Sequence, residues 1–255
     1  MSFLRVIIPT YNGAEFLPRM VKCVRSQTMQ DFHLIIVDDM STDGKTWKLI
    51  QKLKPDKAIK MTRKGYAAGA RNEGMKFFTD DLYTLWLDDD DRLMDDKVFE
   101  RIKKNAEEHD YPDIIRLNYI KTRVSTGLPG NHHDRYKEPI TVADICCQVS
   151  AGMPWSKAVM SEKCVDFPED LLVDDCYQHI MQCDVCDTAS VIHEDCYEWL
   201  VRENSITTSK TNVMRDSGWY LEIAKLMRQK EHMIHDYARD AADMRIEWIK
   251  RHHKL

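Results

Sequence analysis

Along the first ninety residues, short wholly apolar runs alternate with longer stretches in which apolar positions recur every three or four residues. Residues 5–9 (RVIIP), 33–37 (HLIIV) and 83–87 (YTLWL) read as buried strands, with a weaker one at 58–62. Between them, Phe16, Leu17, Met20, Val21 and Val24 share one helical face. Ser41-Thr42-Asp43-Gly44 can cap a helix running to Leu53, and a third helix is expected from about Ala67 to Phe78. Strands separated by helices of this length imply parallel βαβ units. In open parallel sheets, ligands bind beyond the carboxyl ends of the strands. Those ends carry Thr10-Tyr11-Asn12, Asp38-Asp39 and the run Asp88-Asp89-Asp90-Asp91, so three polar clusters converge on one rim.

The pattern loosens afterwards. Residues 114–120 read as a strand, residues 122–139 as a long polar loop, residues 174–181 as a helix start, and residues 190–193 as a short strand. From about 217 to 250, Trp219, Ile223, Leu226, Met233, Tyr237, Ala241, Met244 and Trp248 fall at mixed spacings of three, four and seven. This predicts one long amphipathic helix or a broken pair, interrupted at Lys230, docking on its own domain or forming a homodimer contact.

The 255 residues suffice for one large α/β domain, and 43% hydrophobic against 31% charged excludes a disordered chain. The net charge of −5 argues against a protein that coats nucleic-acid phosphates. Neither a signal peptide nor an apolar run of bilayer length is legible, so a soluble, cytoplasmic protein with reduced cysteines is expected.

The chemistry concentrates in the acidic run. Residues 80–96 hold eight Asp and one Arg, four of the Asp directly after an apolar strand. Adjacent carboxylates repel unless a cation sits among them, and oxygen-only ligands suit Mg²⁺ or Mn²⁺ bridging to substrate phosphates. Positive counter-charge lies in residues 53–76, where Lys54, Lys57, Lys60, Arg63, Lys64, Arg71 and Lys76 face only Asp56 and Glu73. His193, after a strand, could complete a metal shell. Cys176, His179, Cys183 and Cys186 have spacings that zinc could use, but on a helix they read as core residues.

VIIPTYNG, QTMQDFHLIIVDDMSTDG, GARNEG and LDDDDRL, in this order, resemble the family 2 glycosyltransferases of the GT-A fold. GMPWSK, LLVDDCYQ and YEWLVRENSIT are similar to that family's acceptor-side motifs, extending the resemblance over about residues 3–208. It implies an α/β, Rossmann-like domain over residues 1–212, with a mostly parallel central sheet flanked by helices. A nucleotide-binding half would span 1–120 and an acceptor half 121–212, followed by a helical extension over 213–255. It also implies a metal-dependent, inverting transferase that takes a sugar from a nucleotide-sugar donor, a UDP-sugar first. By the same resemblance Pro9, Thr10, Tyr11, Asp38 and Asp39 would line the base, and Arg71 would approach the base or diphosphate. The DxD-type motif falls on Asp88, Asp90 and Asp91, the last two as metal ligands, with Asp175 as general base. Trp155 and Lys157 would line the acceptor or diphosphate side, and Arg202 and Ser205 a loop closing over the donor phosphates.

The acceptor stays open at this level. A saccharide is the first reading. A modified base of viral DNA, met by His132, His133, Arg135 and Lys137 of the long loop, is the second. A non-catalytic nucleotide-sugar binder is the third, but such a binder would be expected to lack the carboxylate at Asp175.

Overall fold

β1 (Leu4–Thr10) is buried at all seven positions because helices cover both faces of the sheet. Val6 and Ile8 point to one face with Leu34 and Ile36, whereas Ile7 points to the other with Ile35 and Val37. The structure, a computed structural model, describes residues 1–125, 140–148, 152–171, 175–202 and 213–253. Its strands and helices then follow in order: α1 (Leu17–Arg25), β2 (Phe32–Asp38), α2 (Thr46–Leu53), β3 (Lys57–Lys60), α3 (Tyr66–Met75) and β4 (Tyr83–Trp86). Beyond them lie β5 (Arg92–Leu93), α4 (Val98–Glu108), β6 (Ile114–Arg123), α5 (Val142–Cys146), β7 (Lys157–Met160), α6 (Asp175–Asp184) and β8 (Ala189–Val201). Two helices close the chain, α7 (Val213–Gln229) and α8 (Asp236–His253), separated by a 3₁₀ turn at Lys230–His232.

Among the described residues the sheet has the order β3-β2-β1-β4-β7-β6-β8-β5. β3, β2, β1 and β4 run parallel, and β6 and β8 run parallel to each other. β7 lies antiparallel between β4 and β6, so those two strands share a direction, and β5 pairs antiparallel with β8. The reversed strand matters for the site. Because β7 runs backwards, its first residue, Lys157, emerges at the edge where β1, β2 and β4 end.

Local chemistry explains the elements. On α1, Leu17, Met20, Val21 and Val24 are buried at a helical repeat. Asp43 starts α2 by accepting from the Lys45 and Thr46 amides at 3.0 and 2.9 Å. α3 is rich in small residues because it lies close on β1: a Cβ added to Gly74 would stand 2.6 Å from Ile7 Cγ2.

The second half departs from the sequence expectation in three places. The strand expected at 190–193 runs on to Val201, and a register shift against β6 between Leu117 and Tyr119 lets it bend. Glu194, Asp195 and Glu198 break the apolar run in sequence, yet Glu198 is buried, paired with Arg92 and accepting from Thr122 Oγ1 at 2.6 Å. The polar loop expected from 122 begins later, since Thr122 and Arg123 belong to β6. The tail is a broken pair that buries Leu226, Met233 and Ala241 of the expected stripe, with Ile223 and Tyr237 packed beside them, but Met244 falls outside it. Ala238, Ala241, Ala242, Ile246 and Ile249 are buried, with Met244 exposed. Arg245 goes inside because it pairs with Glu222 of α7 at 2.7 and 3.1 Å. This face packs with α5 and α6 of the same chain around Ile145, Ile180 and Cys183. Among the described residues no helix is long and apolar enough to cross a membrane.

Candidate functional site

The strand ends that converge in sequence converge in space. At the end of β1, Thr10 Oγ1 donates to Asp89, and a Cβ on Gly13 would overlap both groups. Only glycine leaves room for this contact. Asn12 Oδ1 accepts from the Thr42 and Asp43 amides at 2.8 and 3.2 Å, tying the loop after β2 to the loop after β1. Asp39 accepts from the Gly65 amide at 2.8 Å and pairs with Lys64 Nζ at 2.8 Å. The same ammonium sits 3.1 Å from the ring centroid of Tyr11, a cation–π contact, and Tyr11 is otherwise exposed at the rim.

Asp88, Asp90 and Asp91 follow β4, and one oxygen of each lies within 4.8 Å of the others. Each is held differently. Asp88 pairs with Arg71 at 3.0 Å and Asp90 with Arg202. Among the described residues Asp91, 1% exposed, meets neutral donors: Tyr197 Oη at 2.9 Å and the Leu200 amide at 2.8 Å. Burial pushes the Asp88 carboxyl up to about 6, against the pull of Arg71, although 34% of its side chain still meets solvent. Burial likewise raises Asp89 to about 7 and Asp91 well above the usual carboxylate range, with the neighbouring Asp charges adding to both. Three crowded oxygen ligands, with burial raising Asp88 and Asp91, form a donor set suited to a hard divalent cation. His193 does not join them. It is exposed on β8 within the register shift, its carbonyl accepting from Asn118 Nδ2 at 2.9 Å, while β8 reaches the cluster through Tyr197 and Leu200.

Arg71 is 4% exposed and lies over the Phe167 ring at 5.2 Å. Besides Asp88 it faces Asp175, the first residue of α6, at 3.6 Å. One guanidinium thus spans the carboxylate cluster and the helix start. Phe167 is itself fixed by Asn72, which donates to its carbonyl at 2.9 Å and accepts from its amide at 2.7 Å.

A family model described as Glycosyl transferase family 2 matches residues 5–153. The chain belongs to that family. Among curated relatives it is 37% identical over 120 residues to the poly(ribitol-phosphate) beta-N-acetylglucosaminyltransferase TarP of Staphylococcus aureus, covering 45% of this chain and 36% of that one. Over 105 residues it is 36% identical to the glucosyltransferase WfaP of Escherichia coli, named as acting from UDP-Glc on alpha-D-GlcNAc-diphosphoundecaprenol, covering 40% and 41%. The chain therefore spans about two-fifths of the relatives it matches. In structure it resembles S. aureus TarS 1–349 in complex with UDP-GlcNAc, with a TM-score of 0.76 and 18% identity over 100% of this chain and 73% of that one. It also resembles the Pyrobaculum calidifontis mannosyltransferase PcManGT in complex with GDP-Man and Mn²⁺, with a TM-score of 0.57 and 15% identity over 98% and 75%. The family 2 chain has the GT-A fold that its motifs imply.

Against the site expected from sequence, the structure brings Thr10, Tyr11, Asp39, Arg71, Asp88, Asp90, Asp91, Asp175 and Arg202 to one rim of this family 2 domain. Pro9, Asp38, Trp155 and Lys157 are buried beneath it. Asp38, expected beside the nucleotide base, has its Oδ1 accepting from the Ser41 amide at 3.1 Å. Trp155 is stacked on Tyr197 at 4.3 Å with a 10° interplanar angle, so it supports the rim from below. Ser205 lies outside the described residues, as do Asp174, His132, His133, Arg135 and Lys137. Tyr197 was not singled out by sequence, and Lys64 only as one of the basic residues of 53–76. Tyr197 stands within a segment that carries the family resemblance, but nothing in its spacing tells which residue of YEWLV turns toward the aspartates.

Lys157 shows what the rim demands of the layer below. It is fully buried, its Nζ donating to the Met153 carbonyl at 3.3 Å. Burial pushes its ammonium down to about 8, nearby Cys183 and Asp175 opposing and Arg116 assisting. Because the folded value lies below the unfolded one, the unfolded state holds more protons between about pH 8 and 10.5, and stability contributed by this group rises across that window. Below pH 8 the full cost of the buried charge is present, up to about 3 kcal/mol. Lys157→Met is therefore expected to melt above the wild type at pH 7, with the gap closing toward pH 10. Parallel melting curves over pH 7–10 check this; a gap independent of pH would contradict it.

Proposed function

We propose that this family 2 chain transfers a sugar from a UDP-sugar to a hydroxyl of a saccharide acceptor, with inversion at the anomeric carbon. A divalent cation, Mn²⁺ or Mg²⁺, would be held by Asp88, Asp90 and Asp91. The observation that carries the reading is the Arg71 bridge, 3.0 Å from Asp88 and 3.6 Å from Asp175. It puts a cation-binding carboxylate cluster and a solvent-reaching carboxylate on one rim, separated by a single guanidinium. An in-line displacement needs those two ends. When bound, the cation neutralises charge that grows on the departing diphosphate. Arg71 and Arg202 add fixed positive charge on the same side. Asp175 accepts the proton of the acceptor hydroxyl as that oxygen attacks the anomeric carbon. Thr10, Tyr11 and Asp39 form the far end of the rim, where the nucleoside would lie.

UDP is favoured as the nucleotide by the UDP-GlcNAc complex of the structural neighbour and by the UDP-Glc in the relative's name. The Mn²⁺ in the mannosyltransferase complex favours a metal of this class. The test is UDP release from a panel of UDP-sugars with candidate saccharide acceptors and Mn²⁺, followed by the anomeric coupling of the product by NMR. Release that depends on both acceptor and Mn²⁺, with inverted configuration, is expected. A product of retained configuration would exclude Asp175 as a simple base.

A further inference from the structure

Of the three clustered carboxylates, two are paired with a cationic side chain among the described residues and one is not. Asp88 is paired with Arg71 and Asp90 with Arg202, whereas both oxygens of Asp91 accept from neutral groups. A buried carboxylate held by neutral donors takes no counter-charge from them, so a cation would supply it, and its orientation is set by those donors. The Leu200 amide fixes Oδ1 at 2.8 Å as part of the β8 backbone, while Oδ2 depends on one hydroxyl, that of Tyr197, at 2.9 Å. The same hydroxyl accepts from the Asp88 amide at 3.2 Å. It therefore grips both ends of the turn that carries the cluster. The phenol cannot swing away, because its ring is fully buried and stacked on Trp155.

We propose that Tyr197 is a positioning residue for the divalent cation: its hydroxyl holds Asp91 Oδ2 so that the free lone pairs of Asp91 point toward Asp88 and Asp90. The inference rests on the reading of the cluster as a cation site. It assigns Tyr197 no contact with sugar or diphosphate. Outer groups that hold a ligating carboxylate typically contribute about 10–100-fold to metal affinity. Tyr197→Phe removes one oxygen and keeps the ring stack, so the fold is retained while Asp91 loses its holder.

The test is Mn²⁺ binding followed by the electron paramagnetic resonance of the free ion, with UDP present, on wild type, Asp91→Ala, Tyr197→Phe and Tyr119→Phe. Tyr119 pairs with Tyr197 in the β6–β8 register, and its ring lies edge-on to Trp155 at 4.7 Å, so its variant removes a hydroxyl from the same aromatic group. Wild type is expected to bind, Asp91→Ala to lose binding, Tyr197→Phe to bind about 10–100-fold more weakly, and Tyr119→Phe to match wild type within about 2-fold. Excess Mn²⁺ should restore kcat in Tyr197→Phe and not in Asp91→Ala. Mn²⁺ affinity unchanged in Tyr197→Phe, or weakened equally in Tyr119→Phe, would overturn the positioning role while leaving the cation site intact. No Mn²⁺ binding by the wild type would overturn the cation reading and this inference with it.

Discussion

Asp175→Asn is expected to lower kcat by about 10²–10⁴-fold while leaving Mn²⁺-dependent UDP binding within about 3-fold of wild type. The substitution keeps the size of the side chain and an oxygen for Arg71 but removes the ability to take a proton. Asp175 stands at the start of α6 with its carboxylate 3.6 Å from Arg71 and partly open to solvent, so it has both a fixed orientation and access for an acceptor hydroxyl. Initial rates at saturating donor, set beside UDP titrations of the same preparation, separate the two effects. A fall in nucleotide affinity equal to the fall in rate would move Asp175 from the acceptor side to the donor side.

Arg71→Ala is expected to abolish detectable transfer and to destabilise the domain by about 1–3 kcal/mol, less than for a fully enclosed pair because Asp88 keeps 34% of its side chain in solvent. Removing the guanidinium leaves Asp88 and Asp175 without their shared counter-charge and Phe167 without the group stacked over it. Arg71→Lys should recover much of the stability and little of the activity. An ammonium is a point charge, and it cannot face two carboxylates in the planar, forked manner that the 3.0 and 3.6 Å contacts require. Melting temperature and kcat/KM measured on both variants check the pair of outcomes. Full activity in Arg71→Lys would mean that charge alone is needed.

The nucleotide-side half of the domain was legible because its elements follow local rules. Buried parallel strands read as apolar runs, each ends on a polar cluster, and topology alone sends those ends to one rim. The later half was less legible because its signals are not local. β7 is four residues long and buried between β4 and β6, too short to carry a period. β8 hides behind Glu194, Asp195 and Glu198, whose charges are tolerated through exposure at the bend and through the Arg92 pair. Arg245 faces inward on α8, where it pairs with Glu222 of α7.

The same distinction runs through the site. Four aspartates after a strand announce a charged cluster, yet sequence does not tell that Asp89 turns back to Thr10 while Asp88, Asp90 and Asp91 converge. Asp38 and Asp39 are neighbours in sequence with different partners, Asp38 accepting from the Ser41 amide and Asp39 meeting Lys64 and the Gly65 amide. His193 has the right chemistry for a metal and the wrong place on its strand. Tyr197, four residues on, has the place.

The central claim is that the carboxylates after β4 bind a nucleotide diphosphate through a divalent cation. The measurement that tests it most directly is the thermal shift given by UDP, with and without Mn²⁺, on wild type and Asp91→Ala. A shift of several degrees that needs both UDP and Mn²⁺ and vanishes in Asp91→Ala is the predicted result. No shift in the wild type, or an equal shift in the variant, would contradict the claim and return the aspartates to an acidic turn held together by Arg71, Arg202 and Tyr197.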